Sequence, residues 1–426
     1  MKKRFYLSLV IFGLVGQIAW VVENMYLNVF IHEMFGASPA QISLMVSASA
    51  VAATLTTVLM GALSDKVGKR RAFISGGYIL WGISILAFAL VRTDLIGGLF
   101  PMAASVYTVC IGLVIFLDCL MTFFGSTAND ACFNAWLTDM TEEGERGRAE
   151  GINSVMPLIA LLAVFGGFMS FDLSLAKSWT VIFCIIGGVV LLMGILGLFL
   201  IPEPALRVEA NRNYFANIIY GFRPSVVREN KKMYLSLGGF ALFGISIQIF
   251  MPYLILYYTD ALRMDNYVLI MAPAILLAAI FTVLWGRVYD RLGFGRSVLP
   301  SLVLLGAGYL ILYFCRSTAP VFVGSLLMMC GYLSGAASFG AIIRDHTPEN
   351  RSGMFQGLRI VAQVLIPGVI GPSIGAWILR DAETVLGQDG VETFIPNASI
   401  FLGALVALLA LALYLLLVLR RGKKAG

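Results

Sequence analysis

Twelve long apolar runs follow one another along this 426-residue chain, and they fix its solvent before any motif is read. They lie near 6–31, 40–63, 72–92, 105–137, 150–172, 178–201, 233–259, 267–288, 297–315, 319–343, 352–379 and 397–419. A helix of about 20 residues spans the roughly 30 Å hydrocarbon core of a bilayer. Backbone polar groups in lipid must be satisfied within helices or closed barrels. The runs lack the alternation of barrel strands, so an all-α membrane protein of twelve transmembrane helices is expected. Composition agrees: 59% of residues are apolar and 13% are charged, too little charge to cover a soluble protein of this size. Residues 202–232 form the one substantial polar linker and divide the runs six and six. The expected organisation is a six-helix bundle at 1–201, a cytoplasmic linker at 202–232 and a second bundle at 233–426. Within the linker, Asn211–Phe222 reads as an interfacial helix lying on the inner leaflet.

Lys and Arg orient the chain. With the N-terminus in the cytoplasm, the outer loops hold Arg92, Lys177, Arg263, Arg316 and Arg380, and the other 25 of 30 basic residues fall inside. That bias predicts cytoplasmic termini at both ends. The net charge of +6 needs no nucleic-acid partner, because inner loops facing anionic lipid account for it. The first run is too long for a signal peptide, carries Gln17, Glu23 and Asn24, and reads as a span. Six scattered cysteines without CxxC spacing and two histidines, His32 and His346, offer no metal site and no catalytic cluster, so an enzyme is not expected. No cofactor is expected either.

Two loops repeat. Gly61, Asp65, Lys66, Gly68, Lys69 and Arg70 follow the second run; Gly286, Asp290, Arg291, Gly293 and Arg296 follow the eighth. Weaker matches pair the stretches beginning at Met25 and Pro252, and those beginning at Asp139 and Asp345. Their order maps the first six runs onto the last six, so the halves form two pseudo-symmetric bundles. In duplicated transporters the working site lies where the repeats meet.

The first of these loops fits the pattern Gly-x-x-x-Asp-[Arg/Lys]-x-Gly-[Arg/Lys]-[Arg/Lys] in full, and the chain resembles the major facilitator superfamily over essentially its whole length. The resemblance implies a monomer of two bundles that rock about a central site. Asn129, Asp130, Asp139 and the stretch Arg146–Asn153 look more narrowly like the glycoside and sugar:cation symporters, the group of the melibiose permease and the sucrose-type carriers. Asp130 falls where that group places a sugar-binding aspartate. The chain departs from the group in its second run, where Ser43, Ser47, Thr54, Thr56 and Thr57 stand in place of two cation-binding aspartates, and in its first, where Gln17 replaces a sugar aspartate. Those departures favour a proton over sodium as the coupling ion.

Intramembrane polar residues are costly and tend to be functional. In the first run Gln17, Trp20, Asn24 and Asn28 share one helical face, with Glu23 about 100° from Asn24. In the fourth, Asp118, Thr122, Ser126, Asp130 and Asn134 recur every four residues as a slowly winding strip. The second half offers Gln248, Tyr253 and Tyr257 in the seventh run and Arg359 and Gln363 in the eleventh. Amides, carboxylates and a ring suit the hydroxyls and the apolar face of a sugar; the same residues could also glue helices together. Arg359 could pair with Asp130 at the gate or snorkel to the inner surface. A buried carboxyl can hold a proton near neutral pH, which makes Glu23, Asp118 and Asp130 the coupling candidates. In the loops, Gly61 and Gly68 would permit close helix approach and a tight turn. Asp65 would face a helix N-terminus, and Lys69, Arg70 and Arg71 would reach carboxylates at the end of the fourth run, where Asp139 lies. Such contacts would form in one state and break in another. The glycine pairs Gly166–Gly167 and Gly187–Gly188 suit close packing.

The expected function is proton- or cation-coupled symport of a small polar solute, a sugar or glycoside, across a bacterial cytoplasmic membrane. The alternative is a proton-coupled efflux antiporter for lipophilic compounds. The fifth-run motif that superfamily antiporters carry is absent here.

Overall fold

The computed structural model describes residues 2–103, 105–141, 143–204, 221–264, 266–347, 357–386 and 392–424. Most of the interfacial helix expected at Asn211–Phe222 lies outside the described residues, as does the start of the eleventh run. Among them, twelve helices are long and apolar enough to cross a membrane. They are α1 (Lys2–Phe35), α2 (Pro39–Val67), α3 (Arg70–Phe88), α4 (Val106–Met140), α5 (Arg148–Phe168), α6 (Ala176–Leu200), α7 (Lys231–Ala261), α8 (Val268–Leu292), α9 (Phe294–Phe314), α10 (Thr318–His346), α11 (Gly357–Ile378) and α12 (Ser399–Val418). A short hairpin, β1 (Thr384–Leu386) and β2 (Glu392–Phe394), separates the last two.

Local sequence sets the helix ends. The α2 helix opens on a capping box: the Ser38 hydroxyl accepts from the Gln41 N–H at 3.3 Å, and the Gln41 side chain accepts from the Ser38 N–H at 2.8 Å. Pro39 occupies its first turn, where a missing N–H costs nothing. It closes on Gly68 at φ 70°, a left-handed cap that a side chain would strain. Large apolar side chains remain exposed along the spans, among them Phe199 at 69%, Val283 at 72% and Phe314 at 72%. Lipid is the solvent that tolerates such a surface.

The chain forms two compact units, Met1–Ile218 with Leu386–Thr393, and Ile219–Val385 with Phe394–Gly426. The division falls inside the linker expected at 202–232. In the first unit α3 packs along α6, α1 packs against α5, and α4 contacts α2 and α3. In the second, α9 packs along α12, α7 against α11, and α10 contacts α8 and α9. Each partnership recurs six helices later, so the duplication read from the loops is also present in the packing.

Glycine sets the closest approaches. A Cβ on Gly82 would stand 2.4 Å from the Leu191 backbone nitrogen, and one on Gly194 would stand 2.5 Å from that of Ile79, so α3 and α6 meet nearly backbone to backbone. The expected glycine pairs are corrected here. Gly187 does face Leu86, but Gly188, Gly166 and Gly167 have nothing within 4 Å of an added Cβ. Adjacent helical residues point about 100° apart, so only one of two can face a partner. Gly61 and Gly286 do not mark close approaches either: the nearest atom to the first is 3.9 Å away, and the second has no neighbour within 4 Å.

Candidate functional site

The helices that carry the polar candidates depart from regular α geometry. Wider π turns occupy Val22–Tyr26 in α1, Ser126–Phe133 in α4, Tyr257–Ala261 in α7 and Val361–Leu365 in α11. Such turns shift the register of side chains and recur at functional positions. The first holds Glu23, the second Asp130, the third Tyr257 and the fourth Gln363.

In α1 the turn holds Glu23 and Asn24, expected about 100° apart on the helix. Glu23 is 7% exposed and points into the unit, whereas Asn24 is exposed. Glu23 Oε1 accepts from Ser49 Oγ of α2 at 2.8 Å and from Thr122 Oγ1 of α4 at 2.7 Å. Asp118, one turn before Thr122 and 1% exposed, lies beside Glu23. Asn24 and Asn28 donate to backbone carbonyls one turn earlier, those of Trp20 and Asn24, at 2.8 and 3.0 Å. Asn28 is buried and its Oδ1 has no donor among the described residues. Gln17 and Trp20 are half-buried.

A second network ties α1 to α3 and α4. Trp20 Nε1 donates to Asn129 Oδ1 at 3.3 Å, Asn129 Nδ2 donates to the Tyr78 hydroxyl at 2.9 Å, and that hydroxyl donates to the Phe12 carbonyl at 2.6 Å. Beside it, the Ser126 hydroxyl donates to Asp130 Oδ2 at 2.9 Å, and Asn134 Nδ2 donates to the Asp130 carbonyl at 2.9 Å. Asp118, Thr122, Ser126 and Asp130 thus split into two clusters: the first two reach Glu23, and the last two lie next to the Trp20–Asn129 pair.

At the ends of α2, α3 and α4, Arg70 gathers the loop charges. Its guanidinium binds Asp139 at 2.8 Å, Asp65 at 2.5 Å and the Ser64 hydroxyl at 2.5 Å. Arg71 lies 3.7 Å from Glu203. Lys66 and Lys69 are exposed, and Gly68 makes the turn. In the second unit the corresponding loop differs. Gly293 turns it at φ 71°, Asp290 and Arg291 are exposed, and Asp345 accepts instead from the Tyr289 hydroxyl at 2.9 Å.

The aromatic candidates of α7 occupy the core of the second unit rather than an open face. Tyr253 and Tyr257 are 0% and 1% exposed, and the Tyr257 hydroxyl donates to the Leu312 carbonyl of α9 at 2.9 Å. Gln248 is half-buried, with its backbone and Cβ against Gly371 of α11. Arg359 is half-buried and Gln363 is exposed on α11. Sequence reasoning missed Ser49, Tyr78 and Asn129 as parts of polar networks. A serine between alanines, or a tyrosine in an apolar run, carries no signal until the helices are set in rotation.

Comparison with known proteins agrees with this architecture. The family model of the Major Facilitator Superfamily matches residues 6–331 and 268–426. Similar solved structures include the nucleoside transporter NupG, at 14% identity and TM-score 0.70, with 96% of this chain and 98% of that one covered. A D-xylose-proton symporter is similar at 13% identity and TM-score 0.70, with 96% and 97% covered. A bacterial homolog of the human lysosomal transporter Spinster, inward-facing and unoccupied, is similar at 14% identity and TM-score 0.67, with 98% and 96% covered. No curated protein matches the chain. At these identities the solved structures show the fold alone. With the family model covering the chain from the first span to the last, and the six-helix neighbour pattern present twice, the chain belongs to the Major Facilitator Superfamily.

Proposed function

We propose that this multi-pass membrane transporter moves a small polar solute, a sugar or glycoside, by alternating access with proton symport. The supporting observation is the set of three buried acids inside the first unit, Glu23, Asp118 and Asp130, with Glu23 bonded by the Ser49 and Thr122 hydroxyls and Asp130 by that of Ser126. Carboxyls kept in a bilayer interior are too costly to be inert. Asp130 with Ser126, next to Trp20 and Asn129, supplies the carboxylate, hydroxyl, amide and ring that a sugar requires. Gln17, Asn134, Gln248, Arg359 and Gln363 are the further candidates for solute contact. A proton is preferred over sodium because α2 offers hydroxyls where the sodium-coupled relatives carry aspartates. In this reading the protein is a monomer in a bacterial cytoplasmic membrane with both termini inside.

A second reading, proton-coupled efflux of lipophilic compounds, has one observation in its favour. A cavity of about 410 Å³ in the first unit lies among Val15, Ile18, Val164, Phe168, Ile186 and Val190, an apolar lining. Uptake into proteoliposomes decides between the two. The expected result is accumulation of at least one labelled mono- or disaccharide when the exterior is acidic, abolished by a protonophore and indifferent to sodium. No sugar uptake under any gradient, with pH-driven extrusion of a lipophilic dye, overturns the symport reading.

A further inference from the structure

Around Glu23 the hydroxyl protons do not suffice for the oxygens. Glu23 Oε1, Ser49 Oγ and Thr122 Oγ1 form a triangle with edges of 2.8, 2.7 and 2.8 Å, each of hydrogen-bond length. The two hydroxyls supply protons for two edges and leave the third without one. Asp118 stands beside Glu23, one turn before Thr122 on α4, and Glu23 Oε2 and Asp118 Oδ1 are both buried with no donor among the described residues. Two ionised carboxylates are acceptors only and cannot satisfy each other. One added proton changes the inventory: a carboxyl O–H on either acid donates to the other, and the repulsion between two like charges in a low-dielectric site is removed.

The titratable groups on the helices packed around the pair include Tyr26, His32 and Glu33 on α1, Tyr78 on α3, and Cys110, Cys119 and Asp130 on α4; Lys2, Lys3, Arg4 and Tyr6 of α1, Arg70 and Arg71 of α3, and Cys132 and Asp139 of α4 lie toward the other end of those helices, and Tyr107 lies at the start of α4. On α2 the nearest are Asp65 and Lys66, at its far end. Asp130 is a separate group, bonded to Ser126.

We infer that Glu23 and Asp118 are one proton-binding unit: they share a single proton, which is the ion loaded and released in transport, and Asp130 is left to contact solute. This rests on the proton-coupled reading above. In the loading step a proton from the aqueous side bonds to one carboxylate oxygen and is hydrogen-bonded by the other acid. No other covalent bond changes, and the charge of the pair goes from −2 to −1. Release is the reverse, with Ser49 and Thr122 both donating to Glu23 Oε1.

The test is an infrared difference titration of the purified full-length protein in detergent, reading the C=O stretch of protonated carboxyls against pH. No solute is added. In Glu23→Gln the amide N–H donates to Asp118, and in Asp118→Asn it donates to Glu23, so either substitution is expected to remove the whole band of the pair. The double variant should lose no more than either single one. Additive losses, each variant removing its own share, overturn the inference. So does a band in the wild-type protein that responds at constant pH to sodium chloride but not to choline chloride, which would identify a sodium site. Ser49→Ala retains both acids and guards against misfolding of the charge variants: the band that Glu23→Gln and Asp118→Asn each remove is expected at unchanged amplitude with a moved midpoint, and its splitting in two overturns the idea. Absence of any pH-driven uptake by the wild-type protein would remove the transport reading while leaving the shared proton intact. Uptake that follows pH alongside additive titration would remove the inference alone.

Discussion

Arg70 is 4% exposed and holds Asp65, Asp139 and the Ser64 hydroxyl together at the ends of α2, α3 and α4. Its two carboxylates are not equal. The Asp139 side chain is 20% exposed and the Asp65 side chain 47%. A pair open to water on one side contributes about 1 kcal/mol or less. Removing the arginine itself strands a cluster of acids and costs several times more, about 3–5 kcal/mol for a buried pair broken on one side. Asp65→Asn is therefore expected to melt within a few degrees of the wild-type protein in a thermal unfolding assay. If the loop belongs to the gate, the same variant transports several-fold more slowly in proteoliposomes. Unchanged transport removes the gating role and leaves the loop as an anchor. Asp65, Arg70 and Asp139 are legible in the sequence because charge is scarce and the repeat fixes their place. Ser64 and Ser49 are not, since a helical serine has the same local signature whether it back-bonds, caps or donates to a carboxylate.

At the scale of elements, helix existence is legible and helix rotation is not. Hydropathy locates all twelve spans because lipid imposes length and apolarity on each one separately. Which face meets which neighbour depends on packing among helices of nearly uniform apolarity, where the amphipathic signal is weak. The glycines show the consequence. Gly82 and Gly194 lie in the α3–α6 contact, while Gly166 and Gly167 face open space, and nothing in their flanks tells the two sets apart. Gly82→Ala is expected to destabilise the first unit by about 1–3 kcal/mol, because a methyl group cannot enter the contact without parting the helices. Gly166→Ala, with nothing within 4 Å, gains helix propensity and is expected to be neutral or stabilising by up to about 1 kcal/mol. Thermal melts of the two variants in the same detergent check both; equal losses would contradict the packing. The π turns were equally invisible. No proline or glycine marks Val22–Tyr26, yet that turn carries Glu23 inward while Asn24 stays out.

Across the whole molecule the repeat is legible, and the unequal chemistry of its halves is only partly so. Neighbour relations in the first unit recur in the second, but the charge cluster does not: Arg70 bridges two aspartates, and at Asp345 a tyrosine hydroxyl takes the place of a guanidinium. The altered tail of the second loop, Gly293 through Arg296, announces the loss in sequence; the Tyr289 contact needed coordinates. The three acids inside the first unit likewise have no counterparts in the interiors of the described second-unit spans, where Arg359 is the charged residue. On the proton-coupled reading proposed above, the coupling acids belong to one copy of a duplicated frame, and the orientation of that copy decides which side loads the proton. The five basic residues Arg92, Lys177, Arg263, Arg316 and Arg380 lie near span ends of one parity, and the others, Arg359 inside α11 apart, lie on the other. Inserting helices hold Lys and Arg in the cytoplasm, so the heavily basic side is expected inside. Alkaline phosphatase, active only after export, should be active when fused after Asp172, between α5 and α6, and inactive when fused after Gly293, between α8 and α9. A fluorescent protein fused at Gly426 should fluoresce, as it folds only in the cytoplasm. The reversed pattern would place the termini outside and invert the direction in which the Glu23–Asp118 proton drives the solute.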